Sequence, residues 1–249
     1  KRCIDICLTP SMIDLFDLSN KKVVIIDVFR ATSAMCVFLN NGGSQVIPVS
    51  TVEEAEKYKH QMHEINVKNC LVAAERNGVI VPGFDLGNSP LLYSNKNFQG
   101  TSLVITTTNG TLAIDKAKNA GDGMLLASFL NASAVVNYLC TYAKQDILIV
   151  CSGWKGRFCI EDMLLAGFLS NKLLKNDNFS SNSDSTYLAQ ELYQLSTPNL
   201  FNFLESSSYR KRMNVDEDVK YCLQIDIMNI VPVWCLNKIK SGAFSAHKK

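Results

Sequence analysis

The sequence predicts an α/β protein, a layered α/β/α fold around a largely parallel or mixed central sheet. Two observations carry that expectation. Apolar runs of strand length alternate along the chain with stretches of helical periodicity, the order that builds a covered sheet. Several of those runs are apolar without interruption, as strands buried on both faces are. Size and composition agree: 249 residues, 47% hydrophobic and 19% charged, suffice for one large core. Residues 1–249 read as a single α/β domain, and a two-lobed organisation is compatible with the pattern.

Seven strands are expected in order, at "CIDICL" (3–8), "VVIID" (23–27), "SQVIPV" (44–49), "CLVAAE" (70–75), "SLVITT" (102–107), "GMLLAS" (123–128) and "DILIVC" (146–151). Between them, "STVEEAEKYKHQMHE" opens with capping-box spacing from Ser50 to Glu53 and keeps its charges on one side. "NASAVVNYLCTYAK" begins at Asn131, a residue type that caps helices, and "IEDMLLAGFLSNKLLK" is a strongly apolar helix. The polar loop 176–185 is expected to separate this core from a C-terminal helical part. "VPVWCL" (231–236) reads as a late strand returning to a sheet, and the tail 240–249 is expected to fray.

Composition narrows the function. A formal charge of +2 and a pI near 8.1 give no electrostatic case for nucleic acid or an acidic membrane surface. No apolar run approaches the ~20 residues of a membrane span, and "KRCIDICLTP" reads as a strand rather than a signal peptide. Nine scattered cysteines without a C-x-x-C pair argue against zinc-finger and dithiol motifs and for a reducing, cytoplasmic location. Of three histidines, His60 and His63 fall on a charged helix and His247 in the tail, so histidine-based hydrolysis is not expected. Neither a G-x-x-x-x-G-K-[ST] loop nor a G-x-G-x-x-G fingerprint occurs. A homo-oligomer stays open.

The chemistry-bearing residues collect in four loops that follow strands: "DVFRATS" (27–33), "AERNGVIVPGFDLGNSP" (74–90), "TTTNGT" (106–111) and "CSGWKGRFCIED" (151–162). Three of the six arginines, Arg30, Arg76 and Arg157, fall in separate loops of this set. A guanidinium offers a planar donor fork matched to phosphate, sulfonate or carboxylate oxygens. Asp27, Glu75, Asp85, Glu161 and Asp162 accompany them. Carboxylates mixed with anion-binding bases suit a hard divalent ion, such as Mg2+, bridging protein and phosphate. Thr107, Thr108, Asn109 and Gly110 lie at a strand-to-helix junction, where backbone N–H groups can face an anion. Plainer roles stand beside these: Asp27 as a helix cap, Glu75 and Arg76 as a surface ion pair, and Asp85 as the brace of an Asx-turn. Glu161 and Asp162 also suit a helix's first turn without any catalytic duty.

Together, "VIIDVFRATSA", "ERNGVIVPGFDLGNSP", "TTTNGT", "SFLNASAV" and "GRFCIEDMLLAG" resemble the motifs of the magnesium-dependent 2-phosphosulfolactate phosphatases. The resemblance runs from about residue 4 to the Val-Pro at 231–232. It implies hydrolysis of 2-phospho-3-sulfolactate to 3-sulfolactate and phosphate, a step of coenzyme M biosynthesis in some microbes. Carried over residue by residue, it covers Asp27, Arg30, Thr32, Ser33, Glu75, Asp85, Asn88, Thr107, Asn109, Gly110, Asn131, Arg157, Glu161 and Asp162. Asp27, Arg30 and Arg157 are the catalytic candidates, and the acids are the metal candidates. Thr32, Ser33, Asn88 and Asn131 join Arg76, Thr107, Thr108, Asn109 and Gly110 as candidates for holding a small anionic phosphate ester. Gly-Trp-Lys at 153–155 departs from the family pattern, where smaller or more acidic residues are expected, and Trp154 there reshapes the substrate pocket.

Two mechanisms compete. In one, Asp27 attacks phosphorus or helps hold Mg2+ for an attacking water. In the other, Cys151 attacks, because "CSGWKGR" spells the C-x5-R of tyrosine-phosphatase loops. The surrounding acids favour the first, since they would repel the substrate of a thiolate. Other readings are a phosphatase for a different phosphorylated 2-hydroxy acid and a non-catalytic binder of anionic metabolites.

Overall fold

The computed structural model describes residues 1–64, 69–76, 78–236 and 242–247. Its strands are β1 (Arg2–Cys7), β2 (Lys21–Ile26), β3 (Gln45–Pro48), β4 (Cys70–Arg76), β5 (Val79–Ile80), β6 (Ser102–Thr106), β7 (Met124–Ala127), β8 (Asp146–Cys151), β9 (Phe179–Ser180), β10 (Val231–Leu236) and β11 (Gly242–His247). Among the described residues they form one mixed, mostly parallel sheet in the order β5-β4-β6-β3-β11-β10-β7-β2-β8-β1-β9. The strands expected from apolar runs are present close to their predicted ends. Their uninterrupted hydrophobicity has the predicted cause, since Val23, Val24, Ile25 and Ile26 are all fully buried.

The sheet consists of two parallel blocks. One holds β4, β6 and β3, the other β7, β2, β8, β1 and β9. The antiparallel hairpin β10–β11 joins them, pairing Phe244 with Val46 of β3 and Val233 with Leu125 of β7. The segment expected to fray therefore supplies a central strand over 242–247, while the rest of 240–249 lies outside the described residues. "GAFSAH" carries little β signal of its own; burial of Ala243 and Phe244 between neighbouring strands holds it in the sheet. The polar loop 176–185 similarly contains β9, which pairs with β1, and the start of α7 (Asp184–Ser196).

Helices cover both faces. α5 (Ala132–Tyr142) and α6 (Ile160–Leu173) pack on Val24, Ile26, Leu125 and Ile149, with α7 against α6 and β1. α2 (Val52–Glu64) packs on the smaller block through Ala55. Its N-terminal reciprocal bonds fall one residue later than expected, because the helix starts at Val52. Thr51 Oγ1 accepts the Glu54 N–H at 3.1 Å, and Glu54 Oε2 accepts the Ser50 N–H at 2.7 Å. His60 is exposed, as is His247, whereas the side chain of His63 lies outside the described residues.

α1 (Ala31–Asn40) has a different environment: residues 31–39 are all buried, with no polar face turned to water. It touches β3, β7, β10 and β11. One apolar core around it joins Val23 and Ile25 of β2 to Leu103 and Ile105 of β6. Across the hairpin, successive antiparallel pairings reverse one block relative to the other, so a flat sheet would place their carboxyl ends on opposite edges. The ends after β2 and β6 nonetheless meet, with Asp27 against Gly110.

Candidate active site

A cavity of ≈ 320 Å³ opens where the two sets of carboxyl ends meet. Asp27 lies in its floor, one residue beyond β2. Its carboxylate accepts the Ala31 N–H at 3.2 Å and further backbone N–H groups from Arg30 and Gly110. Thr32 locks the backbone beneath: the Asp27 N–H donates to Thr32 Oγ1 at 3.0 Å, and that hydroxyl donates to the Asp27 carbonyl at 2.9 Å. Gly110 is required by proximity, since a Cβ there would stand 2.6 Å from Ala31 Cβ and 2.9 Å from Asp27 Oδ2. Despite three amides and the nearby Arg30 charge, burial pushes the Asp27 carboxyl up to about 6.

Glu161 faces the same cavity from the first turn of α6, 3% exposed. Its Oε2 is one of three buried side-chain polar atoms without a partner among the described residues; the others are Asn88 Oδ1, also on the cavity wall, and Ser152 Oγ. Burial raises the Glu161 pKa, and the Asp27 charge raises it further. Asp162 sits behind the wall with both oxygens engaged, Oδ1 by the Val28 N–H and Oδ2 by the Gly153 N–H, each at 2.9 Å. Burial, then Asp27 and Glu161, hold its pKa well above the usual carboxylate range.

These positions decide which acids fit the Mg2+ that the motifs imply. Among the described residues, no three His, Cys, Asp or Glu side chains are grouped to hold an ion by themselves. Mg2+, however, commonly takes one or two carboxylates and fills its octahedron with water and phosphate oxygens. Asp27 and Glu161, facing one cavity with an unpartnered oxygen between them, fit that habit. The other three acids are otherwise engaged. Asp162 braces two backbone segments, and Glu75 pairs with Arg30 and accepts the Asn88 N–H at 3.1 Å. Asp85 lies outside the cavity wall, accepting the Val72 N–H of β4 at 2.9 Å rather than bracing the expected Asx-turn.

The cations are arranged otherwise than expected. Arg30 reaches the cavity, but its guanidinium is buried between Glu75 and Asp218 of α10 (Asp216–Cys222), and Ser89 Oγ also bonds Asp218. Arg30 thereby ties the loop after β2 to β4 and to α10. Arg76 turns aside, donating to the Glu75 carbonyl at 2.9 Å and to Thr106 Oγ1 at 3.4 Å. Arg157 is exposed and outside the cavity wall, because residues 154–157 close a tight turn in which Trp154 and Arg157 exchange backbone hydrogen bonds of 2.9 and 3.0 Å. Gly153 permits that turn at φ +58°, where a Cβ would stand 2.2 Å from the Arg157 carbonyl oxygen. Trp154 and Lys155 from the turn do line the cavity. Facing them is Arg212, at the end of α9 (Ser208–Arg212), with its guanidinium 3.8 Å from the Trp154 ring centroid.

Thr107, Thr108, Asn109 and Asn88 line the cavity as expected. Asn109 Oδ1 accepts the Lys155 N–H at 2.9 Å and so couples two of the loops. The first amides of α4 (Gly110–Lys116) are spent within the protein, Gly110 on Asp27 and Thr111 on Thr107 Oγ1 at 3.2 Å. Thr32, Ser33 and Asn131 are structural: Ser33 Oγ donates to the Val28 carbonyl at 2.9 Å. Asn131 Oδ1 accepts the Ser128 N–H at 2.9 Å, while its Nδ2 donates to the Ile230 carbonyl at 3.1 Å. Asn131 precedes α5 without capping it through its side chain.

Cys151 is fully buried in the core packed under α6, away from the cavity wall. Burial, aided by Asp162, pushes its thiol well above its ordinary pKa, so no thiolate is available there. Sequence reasoning missed Tyr209, Arg212 and Met213 on the wall and Asp218 behind Arg30. The basic run "YRKRM" (209–213) was the available signal, holding two of the six arginines outside any loop that follows a strand.

Buried carboxylates and basic side chains around one cavity at the carboxyl ends of an α/β sheet are the layout of a candidate site for a small charged molecule. The chain belongs to the 2-phosphosulpholactate phosphatase family, whose match covers residues 7–237; members of this family are phosphoric monoester hydrolases. Among its relatives, a probable 2-phosphosulfolactate phosphatase of Thermotoga petrophila is 40% identical over 215 residues, 85% of this chain and 88% of the relative. Proteins of the same name from Caldanaerobacter subterraneus subsp. tengcongensis and Clostridium botulinum are 38% and 33% identical, over 91% and 95% of this chain and 90% and 98% of theirs.

Proposed function

We propose that this protein hydrolyses 2-phospho-3-sulfolactate to 3-sulfolactate and phosphate, with Mg2+ held by Asp27 and Glu161. The observation that carries the reading is the pairing of those two buried carboxylates with Lys155 and Arg212 around one cavity. The substrate has phosphate, sulfonate and carboxylate groups on three carbons, and a site taking it needs several positive charges in a poorly solvated space. Asp27 and Glu161 alone would repel it. A bound Mg2+ would offset both carboxylates and act as a Lewis acid on the phosphoryl oxygens.

The chain's own groups supply the rest. Backbone amides fix Asp27, Asp162 fixes the loops after β2 and β8, and the Arg30 network fixes β4 against them. Water attacks phosphorus, the bond from phosphorus to the C2 oxygen breaks, and a proton from the water ends on the departing alkoxide. Positioning and charge stabilisation are most of what phosphoryl transfer requires of a protein.

Phosphate release from phosphosulfolactate, 2-phospholactate and phosphoglycolate tests the proposal. Purified protein should release phosphate from the first with Mg2+ present and lose that activity in EDTA. Unchanged turnover in EDTA would remove the metal from the account. Silence on all three compounds would favour the metabolite-binding reading instead.

A further inference from the structure

We infer that Arg212, laid against Trp154 and assisted by Lys155, forms the subsite for the substrate's sulfonate and sets the preference for sulfonated phosphate esters. This rests on the phosphatase reading and goes beyond it by dividing the cavity between two anions.

Three basic side chains reach the cavity, and they are not equivalent. Arg30 is 5% exposed, and two carboxylates already neutralise it. Lys155 and Arg212 have no ion-pair partner among the described residues and are exposed to solvent on the rim. Both address one ring: the Arg212 guanidinium carbon lies 3.8 Å from the Trp154 centroid and Lys155 Nζ 4.9 Å from it. A guanidinium stacked on an indole keeps its N–H groups free in its own plane, oriented before any ligand arrives. Arg212 also lines the same cavity as Asp27 and Glu161 of the acidic floor. An anion on the rim therefore sits beside the floor, as a sulfonate on C3 sits beside a phosphate on C2.

The choice of sulfonate follows from the chemistry of the donor. A guanidinium is weakly hydrated and planar, suited to an anion whose charge is spread over several oxygens, whereas a lysine ammonium is compact and strongly hydrated. The phosphoryl group belongs at Asp27 and Glu161, where the metal candidates are. That leaves the aromatic-backed arginine for the sulfonate.

The test compares two substrates that differ only there: phosphosulfolactate and 2-phospholactate, which has a methyl group in place of the sulfomethyl. Arg212→Ala should lower kcat/KM for phosphosulfolactate about 10- to 100-fold, mainly through KM, the range expected on losing a charged hydrogen-bonding group. The loss on 2-phospholactate, which has no sulfonate to hold, should be clearly smaller than the loss on phosphosulfolactate. Arg212→Lys should recover only part of the loss, because an ammonium restores charge but not the planar stack. Equal losses on both substrates, or none on either, would overturn the assignment. If the unaltered protein hydrolyses neither, the phosphatase reading fails, and calorimetry still reads the subsite. The protein should then bind 3-sulfolactate more tightly than lactate, and Arg212→Ala should abolish that difference; an unaltered difference would sink the inference alone.

Discussion

The floor and the rim of the cavity are built of opposite materials. The floor is acidic and buried: Asp27 and Glu161, with Asp162 behind, stand where β2 ends and α6 begins, and backbone amides hold Asp27 and Asp162. The rim is basic and exposed: Lys155 sits on a tight turn and Arg212 at the end of a five-residue helix. Chemistry needs groups fixed to fractions of an ångström, which rigid element ends supply. Recognition tolerates more variation and is placed on surface segments, as binding residues commonly are. Burial raises the pKa of all three acids of the floor, so their charged forms cost stability.

The largest expected effect separates the floor from the core beneath it. Asp27→Asn should reduce turnover by ~10⁴-fold or more, the scale for losing a group that acts at the reacting centre. Cys151→Ser should keep much of the activity once both variants are shown to be folded. A dead Cys151→Ser protein beside a working Asp27→Asn protein would invert the assignment.

The second prediction concerns the arginine that links floor and frame. Arg30→Ala leaves buried Asp218 and half-buried Glu75 without their partner, a change that costs about 3 kcal/mol or more. Thermal unfolding should then fall by roughly 10 °C for a chain of this size. A raised KM at unchanged Tm would instead show Arg30 to be a substrate ligand that happens to be paired.

A smaller effect has the opposite sign. Glu161→Gln should abolish Mg2+-dependent turnover yet raise the Tm of the metal-free protein by a few degrees at pH 8. The folded-state pKa of Glu161 is raised by burial and then by Asp27, so the folded protein binds more protons than the unfolded chain above the ordinary glutamate range. Stability therefore falls as pH rises above the ordinary glutamate range, so the penalty is larger at pH 8 than at pH 4. The glutamine variant lacks it, so the gain should shrink as pH is lowered towards 4. A Tm lowered at pH 8 would show that the Glu161 charge is compensated by something else.

Much of the fold and part of the cavity wall were legible in the sequence. Continuous apolar runs revealed the parallel strands, and the loops after them contained Asp27, Asn88, Asn109 and Glu161. The hairpin strand 242–247 was not legible, because its small residues take their stability from neighbours far away in sequence. Arg157 and Arg76 misled for a related reason: presence in a loop says nothing of which way a turn directs a side chain. Arg212 lay beyond the loops that follow strands, and only the packing of α9 against Trp154 brings it to the cavity.

The acidic floor is proposed to receive a divalent cation. The most direct measurement is the titration of the Asp27 carboxyl by carbon-13 NMR, with and without Mg2+, using Asp27→Asn to assign the resonance. In the metal-free protein Asp27 should titrate near about 6, raised by burial. Adding Mg2+ should move that transition clearly to lower pH, since a bound cation favours the charged carboxylate. A transition that stays in place at millimolar Mg2+ would contradict the claim.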